Sequence, residues 1–237
     1  MNNYCIGVDL GGTNLRIAAV TPVGECLDSI GLPTRLADGP HTVLDDMAGA
    51  IVELLERQSN RELLGIGVGS PGPLELPRGV LHHPPNLPGF DGLNLRAELQ
   101  HRLDRPVQVD SDGNVAAYGE AVLGAGRTFG SPSLFMYTLG TGVGSGIVLN
   151  GAIWRGMQGA AGESGHGPLL PDGPKCGCGA RGCLETYASA TAIVRRAREL
   201  GVQTPTHGVL TALAVAERAK LGDEPWAILE RYAGKLG

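Results

Sequence analysis

The stretch Tyr4–Val20, YCIGVDLGGTNLRIAAV, holds the reading from which the fold follows. Two short apolar runs, Tyr4–Leu10 and Leu15–Val20, stand on either side of GGTN, and a third, Cys26–Leu32, follows TPVG. Apolar runs of this length broken by turn residues read as three consecutive antiparallel strands. A helix is expected next, because Leu44, Met47, Ala48, Ile51, Leu54 and Leu55 fall on an i, i+3, i+4, i+7 stripe, with Asp45, Asp46, Glu53 and Glu56 mostly off it. Leu63–Ser70 then reads as a buried strand ending in SPGP, Leu93–Leu103 as a second helix, Pro106–Asp110 as a short strand and Asn114–Leu123 as a third helix. After this β-β-β-α-β-α-β-α order the pattern restarts. Ser133–Leu139 and Ile147–Asn150 are expected strands around a glycine-rich turn at 140–146, and helical patterns occupy Leu184–Leu200, Val209–Leu221 and Glu224–Leu236. Two similarly built α/β halves, each opened by a glycine-loop hairpin, are the natural architecture, with their boundary near residues 113–132.

Both glycine turns have the makings of phosphate cradles. Asp9-Leu10-Gly11-Gly12-Thr13-Asn14 sets an acid at a strand end, then two glycines that let backbone N–H groups approach an anion, then a hydroxyl and an amide. An acid beside such a cradle suggests Mg2+. Gly140-Thr141-Gly142-Val143-Gly144-Ser145-Gly146 is a second cradle between strands, although either turn taken alone reads equally well as a plain hairpin. There is no GxxxxGK[ST], which excludes a P-loop, and the 140–146 glycines lead into a strand and do not fit GxGxxG, which argues against a dinucleotide fold.

A different chemistry sits in His166–Glu185, HGPLLPDGPKCGCGARGCLE. Cys176, Cys178 and Cys183 with His166 supply three thiolates and one imidazole, the soft set that favours four-coordinate zinc over calcium, magnesium or manganese. The surrounding Gly- and Pro-rich backbone has little reason of its own to hold one shape, and a metal cross-link would give it one. The bland alternative is three cysteines in a flexible turn.

Composition narrows the class further. Glycine makes up 38 of 237 residues, about 16 % against roughly 7 % on average, and clusters in GG, GxG and PG units that suit tight turns and close backbone approach to ligands. The net charge of −5 and the lack of any Lys/Arg block argue against nucleic acid or an anionic membrane as the main partner. No apolar run is long enough for a membrane span, and MNNYCIGVDL enters a strand at once, so neither anchor nor signal peptide is expected and the protein reads as soluble and cytoplasmic. With three of five cysteines in one cluster a disulfide framework is not expected, and Cys5 and Cys26 read as small buried hydrophobes.

DLGGTN, GTGVGSG and the GESGH block followed by CGCGARGCLE together resemble the ROK group of bacterial sugar kinases and sugar-responsive repressors, within the actin-like ATPase superfamily. The resemblance spans residue 4 to about residue 190. SPGP, HPPNLPGF and VDSDGN look most like the glucokinases of that group. It implies an α/β, two-lobed, ribonuclease H-like fold with a mixed sheet and flanking helices in each lobe, divided here as 1–113 and 114–237. The family usually continues past this point with a strand at the adenine and a helix returning to the first lobe. The resemblance therefore implies a second lobe lacking its C-terminal part, and hexose recognition separable from adenine recognition.

Residue roles follow from the same resemblance. Asp112 matches the acid that takes the proton of the attacking sugar hydroxyl, and its place before a helical run also suits an N-cap. Glu163 and Glu185 match carboxylates that bind sugar hydroxyls. His166 matches a ligand holding zinc with one nitrogen and offering the other to the sugar, which makes the metal a scaffold with no open position. Gly72 and Asn86 match positions near the sugar, Asn86 being equally suited to a plain turn role. Ser111 stands where the family usually has Asn, offering one hydroxyl in place of an amide.

The implied reaction is phosphoryl transfer from ATP–Mg2+ to a hexose, most simply the 6-OH of glucose. Gly11, Gly12, Thr13, Asn14, Gly140, Thr141, Gly142 and Gly144 would lie at the phosphates, and Asp9 at the Mg2+. Fructose, N-acetylglucosamine and N-acetylmannosamine are alternative acceptors and polyphosphate an alternative donor. A homo-oligomer, a dimer by resemblance, is implied. The competing classes are a sugar-sensing repressor, which would carry a helix-turn-helix ahead of the DLGGT strand where only three residues precede Tyr4 here, and a non-catalytic sugar-binding chain.

Overall fold

A computed structural model describes residues 2–157, 159–201, 211–213 and 215. The chain divides into two compact units, one of residues 1–136 and 145–162, the other of residues 137–144 and 163–237. The division read from the sequence, at residue 113, falls inside the first unit.

The first unit is built on a five-stranded sheet in the order β3-β2-β1-β4-β7. Strands β1 (Asn3–Leu10), β2 (Asn14–Val20) and β3 (Cys26–Pro33) form the expected antiparallel meander. Strands β4 (Glu62–Ser70) and β7 (Val107–Ser111) extend it in parallel from β1. The alternation in the sequence explains which face is covered. Tyr4, Ile6, Val8 and Leu10 of β1 and Leu15, Ile17 and Ala19 of β2 are buried, and Gly7 and Asp9 lie on the opposite face. Helix α1 (Pro40–Arg57) lays Val43, Leu44, Met47, Ala48, Ile51 and Leu54 onto that apolar face, joined by Leu95, Leu99 and Leu103 of α2 (Leu95–Leu103). Each fully buried Leu, Ile or Met there contributes about 1.5–3 kcal/mol, so the meander and α1 hold each other. Pro40 at the first turn of α1, where a missing N–H costs nothing, and Asn94 capping Ala97 N–H at 2.9 Å set the two helix starts.

The register of the parallel strands positions the site. Asp9 stands opposite Gly69, Gly69 opposite Asp110, and Ser70 opposite Ser111. The segments leaving β1, β4 and β7 therefore emerge side by side at the carboxyl edge of the sheet, where open α/β sheets take their ligands. Helix α3 (Asp112–Val122) starts directly at the end of β7 and α4 (Ala125–Phe129) follows it. The paired segments β5 (Leu74–Glu75) and β6 (Val80–Leu81) lie in the connection from β4 to α2, where alternation over two residues is too short to be read from sequence.

A second sheet has the order β10-β9-β8, with β8 (Leu134–Leu139), β9 (Val143–Leu149) and β10 (Ala152–Ile153). The second unit comprises the β8–β9 tip, Tyr137–Gly144, and the chain from Glu163 onward, with a 3-10 turn at Ser164–His166, a loop closed by the bridges Pro168↔Cys183 and Lys175↔Arg181, and helices α5 (Glu185–Ala188) and α6 (Ala190–Glu199).

Three expectations change. Strand β9 begins at Val143, four residues earlier than expected, so the glycine turn is only Gly140–Gly142 and Gly144 lies inside a strand. The single helix expected over Leu184–Leu200 breaks at Ser189, which turns extended (φ −74°, ψ 159°) and caps α6 by accepting Ala192 N–H at 3.1 Å. Local capping by serine competes with helix continuation, which the apolar stripe alone does not reveal. Cys26 is exposed and Cys5 only partly buried, because Cys26 sits at the start of the outer strand β3. The expected helix Glu224–Leu236 lies outside the described residues, as does most of Val209–Leu221.

Candidate functional site

At the carboxyl edge of the first unit the Gly11–Thr13 turn is held by three hydrogen bonds. Gly11 N–H donates to Asn14 O at 2.9 Å, Thr34 N–H to Thr13 O at 2.9 Å, and the Thr34 hydroxyl to Gly11 O at 2.7 Å. A side chain on Gly12 would place its Cβ 2.7 Å from Asn86 O, so this glycine is required by close backbone approach and Asn86 stands against the turn. Asp9 and Arg16 are cross-strand partners on the open face of the sheet, both exposed, with 3.9 Å between carboxylate and guanidinium. So loose a pair leaves the carboxylate able to take a cation.

Three successive residues at the end of β7 do three different things. Asp110 is buried, and its carboxylate accepts Ser111 N–H at 2.8 Å, the Asn114 amide at 2.9 Å and the Arg155 guanidinium, through Nε at 3.1 Å and also through Nη2. Ser111 is the N-cap of α3, its hydroxyl accepting Asn114 N–H at 3.3 Å. Asp112 is the first helical residue, exposed, with Oδ1 accepting Gly113 N–H at 2.7 Å. The capping role open to Asp112 in the sequence thus belongs to Ser111, and Asp112 places its carboxylate at the start of the helix. Gly113 and Gly146 let α3 and β9 touch backbone to backbone, since a Cβ on Gly113 would overlap Ser145 O and one on Gly146 would overlap Gly113 O. Gly146 is therefore a packing glycine. Gly72 follows β4 in the same edge row, with Leu74 N 3.3 Å from where its Cβ would be.

In the second unit the Gly140–Gly142 turn is pinned to the start of α6. Ala190 N–H donates to Gly140 O at 2.8 Å and the Thr191 hydroxyl to Thr141 O at 2.7 Å. From the other side Glu185 reaches in, its Oε2 accepting Val143 N–H at 3.0 Å and occupying the space a Gly142 Cβ would need. A Cβ on Gly144 would meet the Thr138 hydroxyl at 2.5 Å.

The four residues His166, Cys176, Cys178 and Cys183 converge as expected, with one ligand atom from each lying within 4.8 Å of all the others. The separations can be tested against an ion. Bonds of about 2.3 Å to sulfur and about 2.0–2.1 Å to nitrogen in a tetrahedron set S···S edges near 3.8 Å and S···N edges near 3.5 Å. Cys178 Sγ and Cys183 Sγ are 3.7 Å apart, and Cys176 Sγ and His166 Nδ1 3.5 Å. Two of the six edges of the cluster thus match the dimensions of a four-coordinate metal centre, and the set as a whole could hold an ion. His166 Nε2 points away from it, 3.8 Å from Glu163 Oε2, and Glu185 Oε1 lies 3.7 Å from Cys176 Sγ. Burial pushes the Cys176 thiol up to about 12 and the Cys183 thiol upward, whereas the Ala180 N–H draws the Cys178 thiol down. Burial alone thus favours neutral thiols at Cys176 and Cys183, and a cation would bind here only by displacing their protons.

Four contributors were not found from sequence. Thr34, Asp110, Arg155 and the capping use of Ser111 act through contacts with partners fixed by the fold. Asp110 was visible only as an acid two residues before the candidate base.

Residues 5–236 match the ROK family. The chain is 41% identical over 249 residues to a glucokinase of Halalkalibacterium halodurans, covering 100% of this chain and 74% of that protein. It is 34% identical over 194 residues to the xylose repressor of Bacillus subtilis, covering 81% of this chain and 49% of that one. Among solved structures, a ROK family glucokinase from Streptomyces griseus in complex with glucose and AMPPNP superposes with a TM-score of 0.82 at 31% identity, covering 98% of this chain and 77% of the other.

Proposed function

This chain belongs to the ROK family, and from that premise we propose that it is a sugar kinase transferring the γ-phosphoryl group of ATP to a hexose, glucose before others. The observation that carries the reading is the edge row of the first unit. Asp9, the Gly11–Thr13 turn, Gly72 and Asp112 leave three adjacent parallel strands at one edge, and Ser111 takes the capping duty that would otherwise occupy Asp112. Similarity to glucokinases supplies the substrate class.

In this reading the Asp112 carboxylate accepts the proton of the hexose 6-OH as that oxygen attacks in line. Asn86, Glu163, Glu185 and the Nε2 edge of His166 bind sugar hydroxyls, and the proton left on the Ser111 hydroxyl is available to another. Backbone N–H groups of Gly11–Asn14 and of Gly140–Gly144 hold the phosphates, with Asp9 toward their Mg2+. Bound Mg2+ supplies neutralisation of charge on the phosphate oxygens. His166, Cys176, Cys178 and Cys183 hold zinc, which supplies rigidity to the loop that carries Glu163 and Glu185. Because the transition state is loose, positioning and charge neutralisation carry most of the rate.

A coupled assay over glucose, mannose, fructose, N-acetylglucosamine and N-acetylmannosamine, with ATP and with polyphosphate, tests the reading. Glucose with ATP is expected to give the highest kcat/KM. No phosphoryl transfer to any of the five, with sugar binding intact by calorimetry, would overturn it. That result would favour the second reading, a sugar sensor, for which the similarity to a xylose repressor is the supporting observation. Localisation in the cytoplasm and a homodimer belong to the same proposal; among the described residues no helix is long and apolar enough to cross a membrane.

A further inference from the structure

Glu185 connects two features of the second unit that the sequence presents separately. It opens α5 two residues after the cluster residue Cys183, so the cluster fixes where its backbone lies. From there one carboxylate oxygen rests 3.7 Å from Cys176 Sγ and the other accepts Val143 N–H at 3.0 Å. The turn it meets is fixed as well, because α6 holds the carbonyls of Gly140 and Thr141. Gly142 has no side chain to keep the carboxylate out. An anionic oxygen on a backbone N–H beside two glycines is how a phosphate is bound, and here the anion belongs to the protein.

We propose that Glu185 is an internal stand-in for phosphate: without sugar its carboxylate occupies the Val143 N–H, and a hexose hydroxyl that draws the carboxylate away frees that N–H for a phosphate oxygen of ATP. The inference rests on the kinase reading, in which Glu185 meets the sugar and Gly140–Gly144 meets the phosphates. Two anions cannot share one N–H, and a carboxylate left in the cradle repels the incoming phosphate. Hexose and nucleotide therefore favour each other's binding, and by linkage the effect is the same in both directions. Glu185 acts on phosphoryl transfer as a positioning residue, through the turn.

The test is calorimetry of the whole chain with AMPPNP–Mg2+, with and without saturating glucose, on the wild type, Glu185→Gln and Glu185→Asp. Glucose should tighten AMPPNP binding to the wild type by about tenfold, within the range of couplings between sites. Glu185→Gln removes the charge and Glu185→Asp shortens the reach, so either should bind AMPPNP severalfold more tightly without sugar, and glucose should add little. A defect in folding alone would weaken nucleotide binding, so the expected gain cannot be mistaken for damage; if one variant does not fold, the other still decides. Sugar-free affinity that is unchanged or weaker in the folded variant overturns the inference and leaves the kinase reading standing. Absence of AMPPNP binding by the wild type, with or without glucose, overturns both.

Discussion

The two units hold their functional residues in place by different means. In the first, a buried cluster running from Tyr4 through α1 to Val109 locks the meander, and the edge segments are short extensions of packed strands. In the second, the buried apolar cluster among the described residues is Ala197 and Val215, with Ile193 and Val194 against it, and order in the loop comes from backbone hydrogen bonds, two isolated bridges and four metal-type ligands. The two glycine turns show the same division. Gly11–Thr13 is braced by neutral groups, Thr34 and the Asn86 backbone, whereas Gly140–Gly142 is braced by a helix start and a carboxylate. One unit spends sequence on apolar pattern, the other on chemically reactive side chains.

Removing the metal should break the comparison most visibly. Zinc is expected at one per chain by elemental analysis. Chelation, or Cys183→Ser, should expose the amides of Gly167–Leu184 to hydrogen exchange and weaken hexose binding by about 10- to 100-fold, the usual cost of disturbing such a shell. The amides of Tyr4–Leu10 and Ile66–Ser70 should stay protected, because their core contains no metal ligand. Equal protection of the loop in metal-free protein would show that the second unit has another source of order.

Next in size is the contrast between neighbouring acids. Asp112→Asn should lower kcat by about 10²-fold or more with little change in hexose affinity or in urea stability, since the cap belongs to Ser111. Asp110→Asn should do the reverse, costing about 2 kcal/mol by loss of charge-assisted bonds to Arg155 and Asn114. The partial exposure of Arg155 keeps that figure below the cost of a fully buried pair. If the two variants swapped phenotypes, the base would have been placed two residues too late in the chain.

The glycine turns allow a matched pair of smaller changes. Alanine at position 12 must push against Asn86 O, a backbone atom of a packed connection, and should cost about 1–3 kcal/mol. At position 142 alanine meets the end of the Glu185 side chain, which can swing aside, so less than about 1 kcal/mol is expected. Comparable losses in urea titrations of both variants would mean that the second turn is as rigidly enclosed as the first.

How much of this the sequence announces follows the same division. Strands β1–β4 and β7 and helices α1–α3 are legible because burial on one face leaves a period in the apolar residues. The four metal-type ligands are legible because cysteine and histidine at short spacing have few other uses. What stays hidden depends on partners distant in sequence. Val143 and Glu185 are 42 residues apart, Asp110 and Arg155 are 45 apart, and Thr34 reaches Gly11 across 23. A carboxylate bound to a backbone N–H leaves no mark in the composition around either residue.

The smallest expected effect concerns Ser111, where one hydroxyl serves a position at which the resemblance puts an amide. In the structure that hydroxyl already accepts Asn114 N–H, and its one proton is the only donor it can offer elsewhere. Asparagine caps helices as well as serine does, so Ser111→Asn should leave stability within a few tenths of a kcal/mol. Its amide NH2 would then be an added donor beside Asp112, and hexose binding should tighten by about 1 kcal/mol, the net worth of one hydrogen bond. Ser111→Ala separates the two uses, since it should cost about 1 kcal/mol of stability through the lost cap. Calorimetry with glucose decides the matter. If Ser111→Asn leaves affinity unchanged, the edge of the first unit already satisfies the sugar with backbone groups, and the serine is there for the helix alone.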